Sequence, residues 1–339
     1  MQRIINDPNM VVEDMLKGFE RCHADILHVD EDDPKVVVSN FVGQGEPRVG
    51  IVTGGGSGHK PAFVGYCGRN MVDAVAVGEI FSSPTAKAFY DAIRAADQGR
   101  GVACLYGNYA GDNMNVKMAV DMADDDDIVV KTVVANDDVA SAPREDAAKR
   151  RGVAGEILMW KCGGAAAAQG KDLDGVIAAA QKAIDSTYSV GVGLSPCTIP
   201  ANGKPNFEIA DGTMEFGIGH HGEPGVKVEE LKPAADIARE MVEMVVSDKP
   251  LEAGDEVVVL VSGLGSTPVM EQYIFFDEVA RLLDEKGISV YRSYVGNYFT
   301  SLEMNGVTLT VMQVDDELKG YVDMEVETMG LTQFGKECR

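Results

Sequence analysis

The sequence predicts an α/β protein of two domains, each built on a mixed or parallel β-sheet. Short apolar runs without polar–apolar alternation, which suit strands buried on both faces of a sheet, alternate with helical patterns along the chain. The chain has 339 residues, which suits two domains of typical size. Its 38 glycines and its 6% aromatic residues indicate a loop-rich α/β protein rather than a β-sandwich.

The first half of the chain opens with an amphipathic helix and continues with alternating strands and helices. The helix-start cue Asn6-Asp7-Pro8 precedes a helix at Val11–Cys22. The strands that follow lie at Val49–Thr53, Asp73–Val77, Val102–Tyr106 and Ile128–Val134, and the helices at Pro84–Gln98, Asp112–Ala123, Gly155–Gly170 and Leu173–Tyr188. This alternation predicts a sheet with crossover helices.

A stretch rich in Gly, Pro and Ser, Gly191–Lys204, marks the expected boundary between the domains. We therefore predict an N-terminal domain over residues 1–188 and a C-terminal domain over residues 189–339. The elements expected in the second domain are helices at Pro233–Ser247 and Pro268–Lys286 and strands at Glu256–Val261, Ser289–Ser293 and Val307–Met312.

The composition excludes several classes of function. A formal net charge of −24 argues against nucleic acid and anionic membranes as partners, because both are bound through excess Lys and Arg. The opening residues lack the apolar run of a signal peptide, and no run approaches the length of a membrane span. The six cysteines are scattered without a CxxC pair, which indicates reduced thiols. We expect a cytoplasmic protein.

The first segment that could carry chemistry is Thr53–Ala62, TGGGSGHKPA, directly after a predicted strand. Consecutive glycines let the backbone approach a ligand closely, and successive amides can cradle its oxygens. The segment lacks the ending of a Walker A loop and the spacing of a dinucleotide fingerprint, so a purely structural turn is an alternative. His59, at the end of the loop, is well placed to transfer a proton or to bind a substrate oxygen.

The second segment is Tyr106–Asn115, YGNYAGDNMN, which follows another predicted strand. Its polar side chains cluster where a parallel sheet normally opens its binding crevice. Asp112 has two interpretations at this point. It can be the N-cap of the next helix, or it can be a general base that acts on a hydroxyl group.

The third segment is Met214–Gly225, MEFGIGHHGEPG, with two adjacent histidines among four glycines. Adjacent side chains of an extended segment point to opposite sides, so a metal site made of His220 and His221 is disfavoured. One of the two in a cleft can attack a carbonyl or transfer a proton, and Glu223 can fix its tautomer. A structural role remains the alternative.

Together with other motifs, these segments resemble the K subunit of dihydroxyacetone kinases over essentially the whole chain. The resemblance runs through IINDPNMVVEDML, GGGSGHKPA, NYAGD, NDDVA, RRGVAG, LSPCTIP, GHHGEPG, SGLGSTPVMEQY and RSYVGNYFTSLEM. So many unusual motifs in one order make the resemblance specific, whereas each glycine loop alone is not. The resemblance implies the fold of that K subunit.

The resemblance also implies roles for the site residues. His221, the histidine of HGEPG, would form a hemiaminal with the carbonyl carbon of a short ketose, which excludes polyols such as glycerol. His59 and Asp112 would orient and deprotonate the terminal hydroxyl, which then attacks the γ-phosphoryl group of a nucleotide. His220 stands where the family usually has an aliphatic residue, and we expect it to be peripheral. The implied substrate-binding residues are Gly56, Ser57, Gly58, His59 and Asp112.

The nucleotide is expected on another chain. The sequence contains no motif for a magnesium–nucleotide complex, so no cofactor or metal residues are assigned to it. The resemblance implies a separate L-type subunit carrying Mg with ADP or ATP, with phosphate from ATP or from a sugar-phosphotransferase relay. Members of the family are usually homodimers, so we also expect a homodimer.

Several positions depart from the family pattern. The motif GSGHEPAH reads GSGHKPAF here, with Lys60 and Phe63. Gly107 replaces a lysine that ordinarily touches the substrate hydroxyl, and Ala110 replaces a threonine. Losing the lysine removes one donor and is expected to open volume next to Asp112. We therefore expect a ketose larger than dihydroxyacetone, such as the four-carbon erythrulose.

Two other classes of function were weighed against the kinase subunit. A non-catalytic paralogue could bind the ketose covalently and signal to a regulator, and such a sensor would need His221 but not Asp112. A generic dinucleotide enzyme is disfavoured because the sequence lacks both the fingerprint and the ribose-binding acid.

Overall fold

The computed structural model describes residues 2–335 and contains two six-stranded sheets together with eight α-helices over that range. The predicted α/β class with mixed and parallel sheets is confirmed. None of the helices within the described range has the combination of length and apolar character that a membrane crossing requires. Cys338 lies outside the described residues, and the other five cysteines are free thiols.

The first sheet is formed by the first half of the chain in the order β1-β2-β5-β3-β6-β7. Strands β5, β3, β6 and β7 are parallel, and β1 and β2 extend the sheet antiparallel at one edge. Every residue of β3, β5 and β6 is buried, which explains their apolar runs. The elements are α1 (Val11–Cys22), β1 (Leu27–Val29), β2 (Val36–Ser39), β3 (Gly50–Gly55), β4 (Gly68–Arg69), β5 (Ala74–Val77), α2 (Ala86–Ala96), β6 (Val102–Gly107), α3 (Ala110–Asp124), β7 (Val130–Ala135), α4 (Glu156–Ala168) and α5 (Leu173–Asp185).

The second sheet has the order β10-β9-β8-β13-β11-β12 and is antiparallel except for the pair β11–β12. Helices α6 and α7 pack on it. The last two strands at one end of this sheet, β9 and β10, were not predicted. The elements are β8 (Thr187–Gly193), β9 (Thr213–Phe216), β10 (Lys227–Glu230), α6 (Ala234–Asp248), β11 (Glu256–Gly263), α7 (Val269–Glu285), β12 (Ser289–Gly296), β13 (Gly306–Gln313), α8 (Asp316–Asp323), β14 (Val326–Thr328) and β15 (Thr332–Gln333).

The predicted helix Leu173–Tyr188 is wrong at its end. Helix α5 ends at Asp185, and β8 begins at Thr187, whose hydroxyl donates a hydrogen bond to Ala183 O (2.7 Å). Strand β8 then pairs along its whole length with β13, more than a hundred residues away. This long-range pairing outweighs the local helical pattern, which sequence periodicity cannot anticipate.

The end of the described chain returns to the first half. Strand β14 pairs with β4, and α8 packs against α4. The main apolar core accordingly joins residues of both halves, with Trp160 of α4 and Tyr321 of α8 among its buried side chains. The division of domains at residues 188 and 189 stays a prediction. Strand β7 belongs to the first sheet and β8 to the second, which agrees with a division near this point. The C-terminal segment, however, packs against the first half of the chain through β14 and α8.

Candidate functional site

A cavity of about 250 Å³ opens beyond the carboxyl ends of the neighbouring parallel strands β3 and β6. This edge is where α/β sheets place their ligands. The loop after β3, the start of α3, the start of α4 and the histidine loop after β9 all reach its wall. The structure therefore brings together the three predicted catalytic residues, His59, Asp112 and His221, although 162 positions separate the two histidines. The other polar side chain of note is Glu156, and the aromatic wall consists of Phe63, Phe81, Tyr109 and Phe299.

His59 is held by the turn that follows β3. It ends the short 3₁₀ turn Ser57–His59, and its Nδ1 lies 2.8 Å from the carbonyl oxygen of Thr300. A carbonyl can only accept, so Nδ1 of His59 carries a proton and Nε2 faces the cavity. Burial, together with the neighbouring His221, holds the pKa of His59 well below its usual range. His59 is thus a neutral imidazole whose acceptor nitrogen points at the site.

His221 is oriented by Glu223, as the sequence predicted. Its Nδ1 lies 2.8 Å from Glu223 Oε1, and its backbone N–H donates to Oε2 at 3.0 Å. Although burial opposes ionisation, the hydrogen bond from His221 holds the pKa of Glu223 well below its usual range. The guanidinium of Arg151 lies 3.8 Å behind that carboxylate and is itself paired with buried Asp138 at 2.8 Å. The result is an ordered row of alternating charges.

Close approach behind His221 requires a glycine. A Cβ atom at position 219 would lie 2.1 Å from Glu223 Oε2 and 2.5 Å from Arg151 Nη1. Gly219 therefore lets the side chains of Glu223 and Arg151 lie directly against the backbone of the histidine loop. The sequence analysis assigned no role to Arg151 and Asp138, although both lie in the shared motifs RRGVAG and NDDVA.

The two site histidines contact each other, since Nε2 of His59 lies 2.9 Å from Nε2 of His221. Both Nδ1 atoms are committed as donors, so two neutral rings would face each other with lone pairs. The contact therefore requires one additional proton on the pair. Such a proton would be shared between the two Nε2 atoms, and burial disfavours a lasting charge on His59.

Asp112 lies in the first turn of α3 and is not its N-cap. The helix begins at Ala110, two residues before the predicted start, and the capping position is Tyr109, whose backbone is extended. The N-cap interpretation of Asp112 is therefore wrong. Its Oδ2 accepts a hydrogen bond from the hydroxyl of Ser83 (2.6 Å), while Oδ1 is buried without a partner. Burial raises the pKa of Asp112 to about 6, which suits a general base near neutral pH.

The glycine loop contributes less to the wall than predicted. Gly56 lines the cavity, but Ser57 and Gly58 do not. The hydroxyl of Ser57 donates to Gly78 O (2.7 Å), and a Cβ at Gly58 would lie 2.2 Å from the ring of Phe81. Ser57 and Gly58 thus hold the loop, and their predicted substrate contacts stay a prediction.

His220 is more central than expected. It is buried, its Nε2 lies 2.9 Å from the hydroxyl of Thr308, and its ring centroid is 5.0 Å from that of Phe299. Burial lowers its pKa to about 3, so it is neutral. The two adjacent histidines do face different surroundings, but His220 packs directly behind the site rather than at its periphery.

Glu156, which the sequence analysis missed, lines the cavity at the start of α4. It is 1% exposed, and neither carboxylate oxygen has a hydrogen-bond partner among the described residues. A Cβ at Gly107 would lie 2.4 Å from its Oε1, so Glu156 takes part of the space beside Gly107, and the expected extra volume next to Asp112 stays a prediction. The available signal was an acidic residue in a helix whose other residues are almost all apolar and buried.

The fold and the site define an α/β protein with a histidine pair and two carboxyl groups around one cavity. The model of the Dak1 domain family matches residues 17–330, and the chain belongs to this family. It is 47% identical over 324 residues to the dihydroxyacetone-binding subunit of a PTS-dependent dihydroxyacetone kinase of Listeria innocua, covering 96% of this chain and 97% of that subunit. It is 41% identical over 321 residues to D-erythrulose kinase of Mycolicibacterium smegmatis, covering 95% of this chain and 55% of the kinase.

Two solved structures share the fold. A dihydroxyacetone kinase operon co-activator superposes with a TM-score of 0.88 and 35% identity, over 95% of this chain and 98% of that one. The dihydroxyacetone kinase from C. freundii, in complex with AMP-PNP and Mg²⁺, superposes with a TM-score of 0.89 and 30% identity, over 98% of this chain and 61% of that one. Relatives of this chain thus include both kinases and a co-activator.

Proposed function

We propose that this chain is the ketose-binding subunit of a dihydroxyacetone-type kinase and holds its substrate as a hemiaminal on His221. The observation that carries the proposal is the orientation of this imidazole. Glu223 binds Nδ1, which leaves Nε2 facing the cavity in contact with Nε2 of His59. A nitrogen presented in this way can attack a carbonyl carbon, which a polyol lacks.

The covalent step needs no acid or base from outside the site. The proton shared between the two Nε2 atoms first moves fully onto Nε2 of His59, which frees the lone pair of His221. That lone pair forms the new C–N bond, the C=O π pair moves to oxygen, and the oxygen takes the proton from His59. The alkylated imidazolium remains paired with the Glu223 carboxylate, and His59 is neutral again. The total charge of the site does not change.

Asp112 acts in the phosphoryl transfer. Its free Oδ1 takes the proton of the terminal hydroxyl, whose oxygen then attacks the γ-phosphoryl group of ATP and releases ADP. No lysine or arginine is among the cavity-lining residues of the described chain, so the cavity offers neither of these side chains to the phosphates. This supports a separate L-type subunit that carries the Mg-nucleotide. The name of the Listeria relative favours phosphate supply from a phosphotransferase relay. A cytoplasmic location and a homodimer belong to the same proposal.

The second candidate is a ketose sensor, favoured by the close superposition on the co-activator. A sensor needs the covalent histidine but no base for the hydroxyl. The buried, unpartnered Oδ1 of Asp112, at a pKa of about 6, favours the kinase subunit.

The test is adduct formation by this chain alone, followed by ¹³C NMR with [2-¹³C]dihydroxyacetone. We expect the carbonyl signal to be replaced by that of a tetrahedral carbon, and His221→Ala to abolish the change. The matched control is His28→Ala, because His28 is an exposed histidine outside the three site segments. An unchanged adduct in His221→Ala would contradict the proposal.

A further inference from the structure

Glu156 is the strongest polar feature of the cavity that the proposed mechanism does not use. Its carboxyl group is almost completely buried, lines the cavity and has no hydrogen-bond partner on either oxygen within residues 2–335. Leaving a buried polar group unpaired destabilises a fold. A purely structural acid would have hydrogen-bond partners, and neither oxygen of Glu156 has one among the residues that the structure describes. The group is therefore placed for a ligand.

The surroundings of Glu156 keep it uncharged. Burial, reinforced by the nearby carboxylates of Asp137 and Asp112, raises its pKa well above the usual range. A neutral carboxyl group has one O–H donor and an acceptor oxygen beside it. A hydroxyl group also donates and accepts, so the two match. An anionic substituent on this side of the cavity would instead meet two acids, Asp112 and Glu156.

Glu156 lies beside Gly107, a position at which the chain departs from the family pattern. Its Oε1 would lie 2.4 Å from a Cβ at that position, so the carboxyl occupies the space where any longer side chain would begin. Gly107 ends β6, and Glu156 begins α4, so the acid reaches the wall from a different element. A cation at position 107 and the acid at position 156 cannot occupy this corner together without rearrangement.

We propose that Glu156 is a specificity-determining residue which, as a neutral acid, hydrogen-bonds a substrate hydroxyl other than the one that is phosphorylated. The substrate class is then an uncharged short ketose with hydroxyl groups on both sides of the carbonyl, including four-carbon ketoses. This inference rests on the proposed function, because His221 fixes the carbonyl and Asp112 receives the reacting hydroxyl.

The experiment compares two ketones that differ by one hydroxyl. Adduct formation with dihydroxyacetone and with hydroxyacetone is titrated by NMR on the full chain and on its Glu156→Ala and Glu156→Gln variants. We expect Glu156→Ala to weaken the dihydroxyacetone adduct about tenfold and to leave the hydroxyacetone adduct within about twofold of wild type. Glu156→Gln keeps a donor and an acceptor and should stay within about threefold for both ketones.

A matched control is Thr53→Val, which removes another buried, unpartnered oxygen that does not line the cavity. It should leave both adducts unchanged. An equal loss for both ketones in Glu156→Ala would show a structural role and overturn the inference. A loss of dihydroxyacetone in Glu156→Gln as large as in Glu156→Ala would overturn it as well. If wild type forms no adduct with either ketone, the proposed function fails instead.

Discussion

The two sides of the cavity differ in whether their polar groups have partners. On the histidine side each charged group has a partner, in the row from His221 through Glu223 and Arg151 to Asp138. On the acid side, Oδ1 of Asp112 and both oxygens of Glu156 are buried without hydrogen-bond partners in the described part of the chain. The paired side holds a nucleophile in a fixed orientation before substrate arrives. The unpaired side is where substrate hydroxyls would complete the hydrogen bonds, at the expense of stability.

The largest effect that separates the two sides is expected from Asp112→Asn. This variant should still form the ketose adduct, because the histidine side is intact, but its phosphoryl transfer with a cognate L-type subunit should fall by about 10²–10⁴-fold. Intact mass spectrometry reports the adduct, and a coupled ADP assay reports turnover. Unchanged turnover would remove Asp112 from the mechanism and favour the sensor.

A smaller effect is expected when the histidine side loses its orientation. Glu223→Gln keeps the size of the side chain but removes the negative charge that pairs with His221. Adduct formation should weaken by about 10–100-fold, because orienting partners of this kind are worth that much in comparable sites. NMR titration measures it, with Glu208→Gln, an exposed acid, as the control. A variant as effective as wild type would show that orientation by Glu223 is dispensable.

The pH dependence of turnover should report the acid side. Asp112 is active as a base only when ionised, and burial raises its pKa to about 6. Turnover should therefore rise about fivefold from pH 5 to pH 6, reach about tenfold by pH 7 and level off above that, under conditions in which adduct formation is saturated. A profile that stays flat down to pH 5 would place the base elsewhere.

The smallest effect concerns stability. The pKa of Glu156 is raised in the folded protein above its ordinary 4.5, so folding favours the protonated form. The stabilising contribution is complete below about pH 4.5 and is lost as pH rises toward the folded-state pKa, by at most about 1.4 kcal/mol per pH unit. Glu156→Gln does not titrate, so its stability relative to wild type should increase from pH 5 to pH 7. Urea unfolding at both pH values measures this, and a constant difference would mean that Glu156 is not protonated on folding.

Much of the site followed from local pattern. His59, Asp112 and His221 stand in glycine-rich segments next to apolar runs, and the carboxyl ends of parallel strands converge. The points at which the cavity wall differs from the sequence-based expectation also have local causes. Ser57 and Gly58 share the sequence context of Gly56, yet only the backbone path decides which of them faces the cavity. Glu156 lies in a helix with no glycine signal, so its place in the site depends on how α4 packs.

By itself the sequence determined the α/β class, the family resemblance and the order of the chemical groups, because strand burial, turn chemistry and motif composition are written in short segments. Tertiary structure decided which groups meet. In the folded chain His59 contacts His221, Arg151 lies behind Glu223, and the carboxyl group of Glu156 lies beside Gly107. These contacts join residues that are tens to hundreds of positions apart. They also set the burial that fixes each protonation state, which no local pattern contains.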